Sequence, residues 1–115
     1  MVMVLAGLAL TAAIQPDRWV AVGDSAGSHA EYLDMESLER SGVKVSLWTR
    51  RDYAGGQGSA WHEIELDCAA RTETILAYVR DDGRSVSHNV VRPHRDAVPI
   101  APGSVAERVF AIACR

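Results

Sequence analysis

Two cysteines constrain this chain more than any other feature. Cys68 closes a stretch in which His62, Ile64, Leu66 and Cys68 alternate with Glu63, Glu65 and Asp67. A period of two with apolar residues on one side marks a half-buried strand. Cys114 stands one residue from the end, on a segment of different periodicity. Ser104-Val105-Ala106-Glu107 has the spacing of a capping box. After it Val105, Val109, Phe110, Ile112, Ala113 and Cys114 share one helical arc, opposite Glu107, Arg108 and Arg115. One sulfur on a strand and one on a terminal helix predict a sheet with that helix laid across the Ile64/Leu66 face.

Whether the two sulfurs can join depends on where the chain resides. All charges lie at Asp17 or later, and Met1 to Leu10 is an apolar run ending in Thr11-Ala12-Ala13. This pattern predicts a signal peptide over residues 1–13, followed by a mature domain over 17–115. A basic flank is missing from the run, and a buried strand is the competing reading. The run is too short to span a bilayer, which takes roughly 20 apolar residues, so no membrane span is expected in the mature chain. In an exported protein an even pair of cysteines most simply forms one disulfide. Two cysteines so far apart make neither a zinc site nor a C-x-x-C redox motif. The expected location is the periplasm, the cell surface or the medium. With a net charge of −3 and scattered Arg and Lys, the chain has no basic footprint for nucleic acid.

Between these landmarks the 115 residues read as one domain. Arg18–Val22 reads as a first strand, stopped by a turn-rich cluster, Gly23-Asp24-Ser25-Ala26-Gly27. From His29 to Arg40 helix formers compete with strand and turn residues, and both readings stay open. Val43, Val45 and Leu47 alternate with Lys44, Ser46 and Trp48 in a half-buried strand running toward Tyr53. Ala54–Ser59 is glycine-rich and reads as a mobile loop. Thr72–Val79 and Arg84–Val91 flank Asp81-Asp82-Gly83, a hairpin signal. Prolines then interrupt the chain up to Pro102. Strands joined by short turns, with no helices between them, predict an α+β fold: a single antiparallel sheet of about six strands with one C-terminal helix on one face.

The order of several small motifs carries a resemblance. Trp19 is followed by Tyr32-x-Asp34-x-x-Ser37, Gly42-Val43-x-Val45-x-x-Trp48 and Asp52-Tyr53, then by Glu65-x-Asp67-Cys68-x-x-Arg71, Pro102-Gly103-Ser104 and Cys114. In this the chain resembles the bacterial surface-adhesin protein E-like family across nearly all of its predicted mature length. The resemblance implies an antiparallel sheet tied to its C-terminal helix by a Cys68–Cys114 disulfide, and a strand over His29–Leu33. It also implies binding of extracellular proteins rather than catalysis. Two features depart from the family: Ala97-Val98 stand where a tryptophan is expected, and no lipid-anchoring cysteine follows the apolar run.

Motifs that could carry chemistry are weak. Gly23-Asp24-Ser25-Ala26-Gly27 matches the G-x-S-x-G nucleophile elbow, but that motif needs preceding strands and a following helix. A glycine-rich turn is the better reading, and no catalytic residue is assigned. His62-Glu63 opens like a zincin motif, yet Leu66 stands where the second histidine must be, on a strand rather than a helix. His88 and His94 lack ligand spacing, and Glu63, Glu65 and Asp67 read as a solvated face. No metal and no cofactor are therefore expected. Trp48, Arg50, Arg51, Tyr53 and Trp61 bracket the glycine-rich loop, and aromatics with arginines make interface hot spots. They form the candidate partner contact, with cross-strand packing as the competing reading. The function expected is an exported, non-catalytic adhesion module for an extracellular or envelope protein, with homodimerisation through the same face as a competitor. The alternative is a periplasmic accessory domain that binds a small ligand or envelope component.

Overall fold

A computed structural model describes residues 18–24, 29–90 and 96–115 of the chain, with the backbone alone of Asp24 and of 87–90. The predicted signal segment, Ser25 and His94 lie outside the described residues, as does the His88 side chain. Among the described residues eight strands form one antiparallel sheet: β1 (Trp19–Asp24), β2 (His29–Asp34), β3 (Glu39–Ser41), β4 (Lys44–Tyr53), β5 (Ser59–Asp67), β6 (Thr72–Asp81), β7 (Val86–Val90) and β8 (Val98–Pro99). Six of them run in the order β1-β2-β4-β5-β6-β7. The short β3 pairs with the first part of β4, and β8 with the start of β6. The helix α1 (Val105–Ala113) and its cap follow. The fold is the α+β arrangement that the alternation and the C-terminal capping box predict.

Burial follows strand parity. Leu33 of β2, Val45 and Leu47 of β4, and Ile64 and Leu66 of β5 meet Val109, Phe110 and Ala113 of α1 in one core. Removing such a side chain from water is worth about 1.5–3 kcal/mol, so this face holds the domain together. The helix starts where expected: Ser104 Oγ accepts the Glu107 N–H at 3.1 Å. The Glu107 carboxylate reaches one residue further back than in the standard capping box and accepts from the Gly103 N–H at 2.8 Å.

Covalent, polar and ring contacts fasten the helix. Cys114, its C-terminal cap, is bonded to Cys68 just past β5, with the Cα atoms 5.6 Å apart and a sequence separation of 46. Arg40 of β3 donates to the Ala113 carbonyl at 2.7 Å. Arg108 of α1 donates to the Val22 carbonyl of β1 at 2.6 Å. This guanidinium lies against Gly23, whose φ of +143° and lack of a Cβ leave room for it. Arg71, in the β5–β6 turn, lies over the Phe110 ring with its Cζ 4.6 Å from the ring centroid.

The open reading of His29–Arg40 resolves into two parts. The stretch is a strand to Asp34 and then a single 3-10 turn, Met35–Ser37, capped by Asp34 Oδ1 on the Glu36 N–H at 3.0 Å. The turn leaves a gap in the ladder beside β4, between its pairing with β3 and with β2. Ser37 fills it: its hydroxyl donates to the Asp34 carbonyl and accepts the Trp48 N–H, both at 2.8 Å. The spacing Asp34-x-x-Ser37 with Trp48 is therefore a backbone repair, needed because an unpaired N–H inside a sheet is costly.

The glycine-rich stretch is a defined hairpin between β4 and β5. Tyr53 N–H donates to the Gly58 carbonyl at 2.9 Å, and Arg80 of β6 donates to the carbonyls of Gln57 and Ser59. Gly58, at φ +87°, lies where a Cβ would strike the Asp81 backbone. Glycine here serves close approach of two backbones, rather than the looseness its composition suggests.

Two bulges re-aim side chains. In β1 the register slips between Ala21 and Gly23, and the extra residue, Val22, turns into the core. In β6 it slips between Ile75 and Ala77, leaving Leu76 as the extra residue. Beyond that point Ile75 and Glu73 stand opposite Ile64 and Leu66, on the helix side. Without the bulge, alternation from Tyr78, which stands opposite His62, would turn both outward.

Candidate functional site

The side of the sheet away from α1 collects aromatic side chains around one arginine. Arg50 pairs in register with Tyr32 on β2 and with Trp61 on β5, so these three share a face. Its Cζ lies 4.6 Å from the Tyr32 ring centroid and 4.8 Å from that of Trp19. Each such contact is worth about 0.5–1 kcal/mol where solvent reaches it. Arg50 Nε is buried 3.1 Å from Asp52 Oδ1, an ionic contact whose angle does not make a hydrogen bond. Trp48, two residues before Arg50, lies on the same face opposite Glu63. All three tryptophans of the chain therefore stand on this side, each half-buried, and no described element covers them.

Of the predicted contact residues, Trp48, Arg50 and Trp61 come together here, while Arg51 and Tyr53 turn to the helix side. Trp19 and Tyr32 complete the cluster. Their place follows from the β1–β2–β4 register, which the open reading of His29–Arg40 leaves unspecified. Arg51 Nε and Nη2 both donate to Glu31 Oε1, at 2.7 and 2.6 Å. The Tyr53 ring lies beside His29, with centroids 6.0 Å apart, and under the Arg80 guanidinium at 4.5 Å.

The helix side carries a second feature. Between the first turn of α1 and strands β2, β4, β5 and β6 lies a cavity of about 330 Å³. Its polar wall is His29, Glu31, Thr49, Arg51, His62 and Glu73, and its apolar wall is mainly Ile64, Ile75, Val105 and Val109. Glu31 is buried, and the Oε1 that accepts from Arg51 also lies 3.3 Å from His29 Nε2. Burial pulls the Arg51 guanidinium down, but Glu31 and Tyr53 outweigh it and the net shift is upward. Burial lowers His62 below its ordinary value, Arg51 adding and Glu31 opposing, while its ring packs on Tyr78 at 4.9 Å. Burial raises Glu73, with the charge of Glu31 adding and that of Arg51 opposing. Among the described residues the Glu73 carboxylate has no hydrogen bond or ion pair, its backbone being paired in the ladder.

Neither feature has the geometry of a metal centre: among the described residues no group of three or more His, Cys, Asp or Glu is arranged to hold an ion. No described helix is long and apolar enough to cross a membrane. Compared with known proteins, residues 19–115 match the family model described as surface-adhesin protein E. No curated protein and no solved structure gives a significant match.

Proposed function

Because this chain belongs to the surface-adhesin protein E family over residues 19–115, we propose that it is an exported, non-catalytic module that holds an extracellular protein against the cell. The observation that carries this reading is the Trp19/Tyr32/Arg50 stack, continued by Trp48 and Trp61 on the uncovered face. Tryptophan, tyrosine and arginine dominate the residues whose truncation costs most at protein interfaces. A half-buried cluster of them, rimmed by the Lys44–Glu65 pair and by Asp52, has the make-up of a hot spot with a polar rim. The occupant argued for is a folded extracellular protein. A second copy of the chain is the outcome that sedimentation would expose.

Trp48→Ala and Arg50→Glu test the surface. Loss of binding to extracellular-matrix proteins by variants that sediment as the parent does supports adhesion. Loss of self-association alone supports a dimer face, and no change in either overturns the patch. Catalysis is tested at the one serine that matches a nucleophile motif: Ser25→Ala should leave ester hydrolysis at background, where the parent also stands.

A second reading, a periplasmic accessory domain for a small ligand, draws support from the cavity under α1. Cell fractionation separates the two, since an adhesin must reach the outer surface.

A further inference from the structure

We infer that the cavity between α1 and the sheet is a binding site for a small organic cation, a primary ammonium ion on a short aliphatic body. The inference is independent of the adhesion reading, since the cavity lies on the opposite face from Trp48 and Trp61.

The β6 bulge shapes the site. The extra residue at Leu76 turns Glu73 and Ile75 inward, and both line the cavity. Bulges recur beside functional sites because they re-aim a side chain that simple alternation would leave outside. Here the re-aimed group is a half-buried carboxylate that no described residue pairs. A carboxylate partly withdrawn from water without a partner loses some of its solvation, and a ligand that supplies a positive donor replaces it.

The other charges set the sign of the ligand. Arg51 is held by Glu31 through two nitrogens on one oxygen, so its charge is already answered. Glu31, Glu73 and Arg51 together leave one negative charge facing the cavity. The opposite wall offers an anion little: the α1 N-terminus is served by Ser104 Oγ and by the Glu107 carboxylate. A bare metal ion is disfavoured, as the described acids and histidines do not form a ligand set. Ile64, Ile75, Val105 and Val109 provide apolar contact for a carbon chain, and Ile75 is 37% exposed at this site. A cavity of about 330 Å³ is at the small end of ligand pockets, which suits a compact amine.

The test titrates the purified protein at neutral pH with n-pentylammonium, n-pentanol or pentanoate, followed by amide NMR. The expected result is saturable binding of pentylammonium, with the largest shifts at Glu73, Ile75, Val105 and Ala106. Glu73→Gln should weaken it by about tenfold or more, the loss of one charge-assisted hydrogen bond, and leave pentanol unchanged. Ala106→Phe, which fills the cavity while keeping Glu73, should abolish it, and Trp48→Ala should have no effect. Pentanol binding as tightly as pentylammonium, pentanoate binding more tightly, shifts centred elsewhere, or no saturation would each overturn the inference.

Discussion

Replacing both cysteines, as Cys68→Ala with Cys114→Ala, should lower the stability of the domain by about 4 kcal/mol. The bridge closes a segment of 46 residues, and the chain-entropy treatment of a loop that long gives roughly that figure. Small domains unfold with about 2.1 cal/mol/K of entropy per residue, so the loss corresponds to a fall in Tm of about 20 °C. The helix should still dock. Val109, Phe110 and Ala113 remain buried, and Arg40 and Arg108 still hold the Ala113 and Val22 carbonyls. Its C-terminal turn should nevertheless lose amide protection before the β4–β5 hairpin does, because Cys114 is the only covalent tie of α1 to the sheet. Differential scanning calorimetry of the parent, the variant and the parent under reductant measures the first effect, and hydrogen exchange the second. Equal Tm values for all three would refute the stapled account, as would recovery of both cysteines as free thiols from the exported protein.

Three further outcomes follow from the same structure. Glu73→Gln should stabilise the protein at neutral pH. The folded-state pKa of Glu73 is raised above its ordinary value of 4.5, so the cost of ionising it is absent below that value and develops as pH rises through the folded value. The gap between variant and parent in urea melts should therefore widen with pH across that window and then level off, and a gap independent of pH would refute the assignment. Leu66→Ala, at a fully buried position facing α1, should cost about 2–5 kcal/mol by chemical denaturation. N-terminal sequencing of exported protein should find residues up to Ala13 absent, whereas Met1 retained there would make the segment an anchor or a strand.

The faces of β4 and β5 were legible in the sequence because alternation is strict from Val45 to Leu47 and from His62 to Cys68, and two aligned strands fix a sheet. The helix was legible from Ser104 and Glu107: Ser104 caps as the motif requires, Glu107 accepts from Gly103 one residue further back, and the cysteine pair pointed to the staple. The strand at His29–Asp34 was not legible from its residues alone. Glu31, Leu33 and Glu36 suit a helix, and tertiary pairing with β1 and β4 decides against it. The family resemblance implies it, and Ser37 gives the spacing a physical role: its hydroxyl closes the ladder at Trp48. The cavity was invisible because one extra residue at Leu76 reverses the parity of β6, and a bulge leaves no mark in an apolar run. The same dependence on register hid the place of Trp19 beside Arg50.

Since all three tryptophans lie on the face away from α1, they report on it selectively. Incorporating 5-fluorotryptophan and adding an extracellular-matrix protein, with the chain kept monomeric, gives the most direct test of that face as the contact surface. The account predicts shifts or broadening of the fluorine resonances of Trp48 and Trp61, lost with Arg50→Glu. Binding that leaves all three resonances unchanged would contradict it.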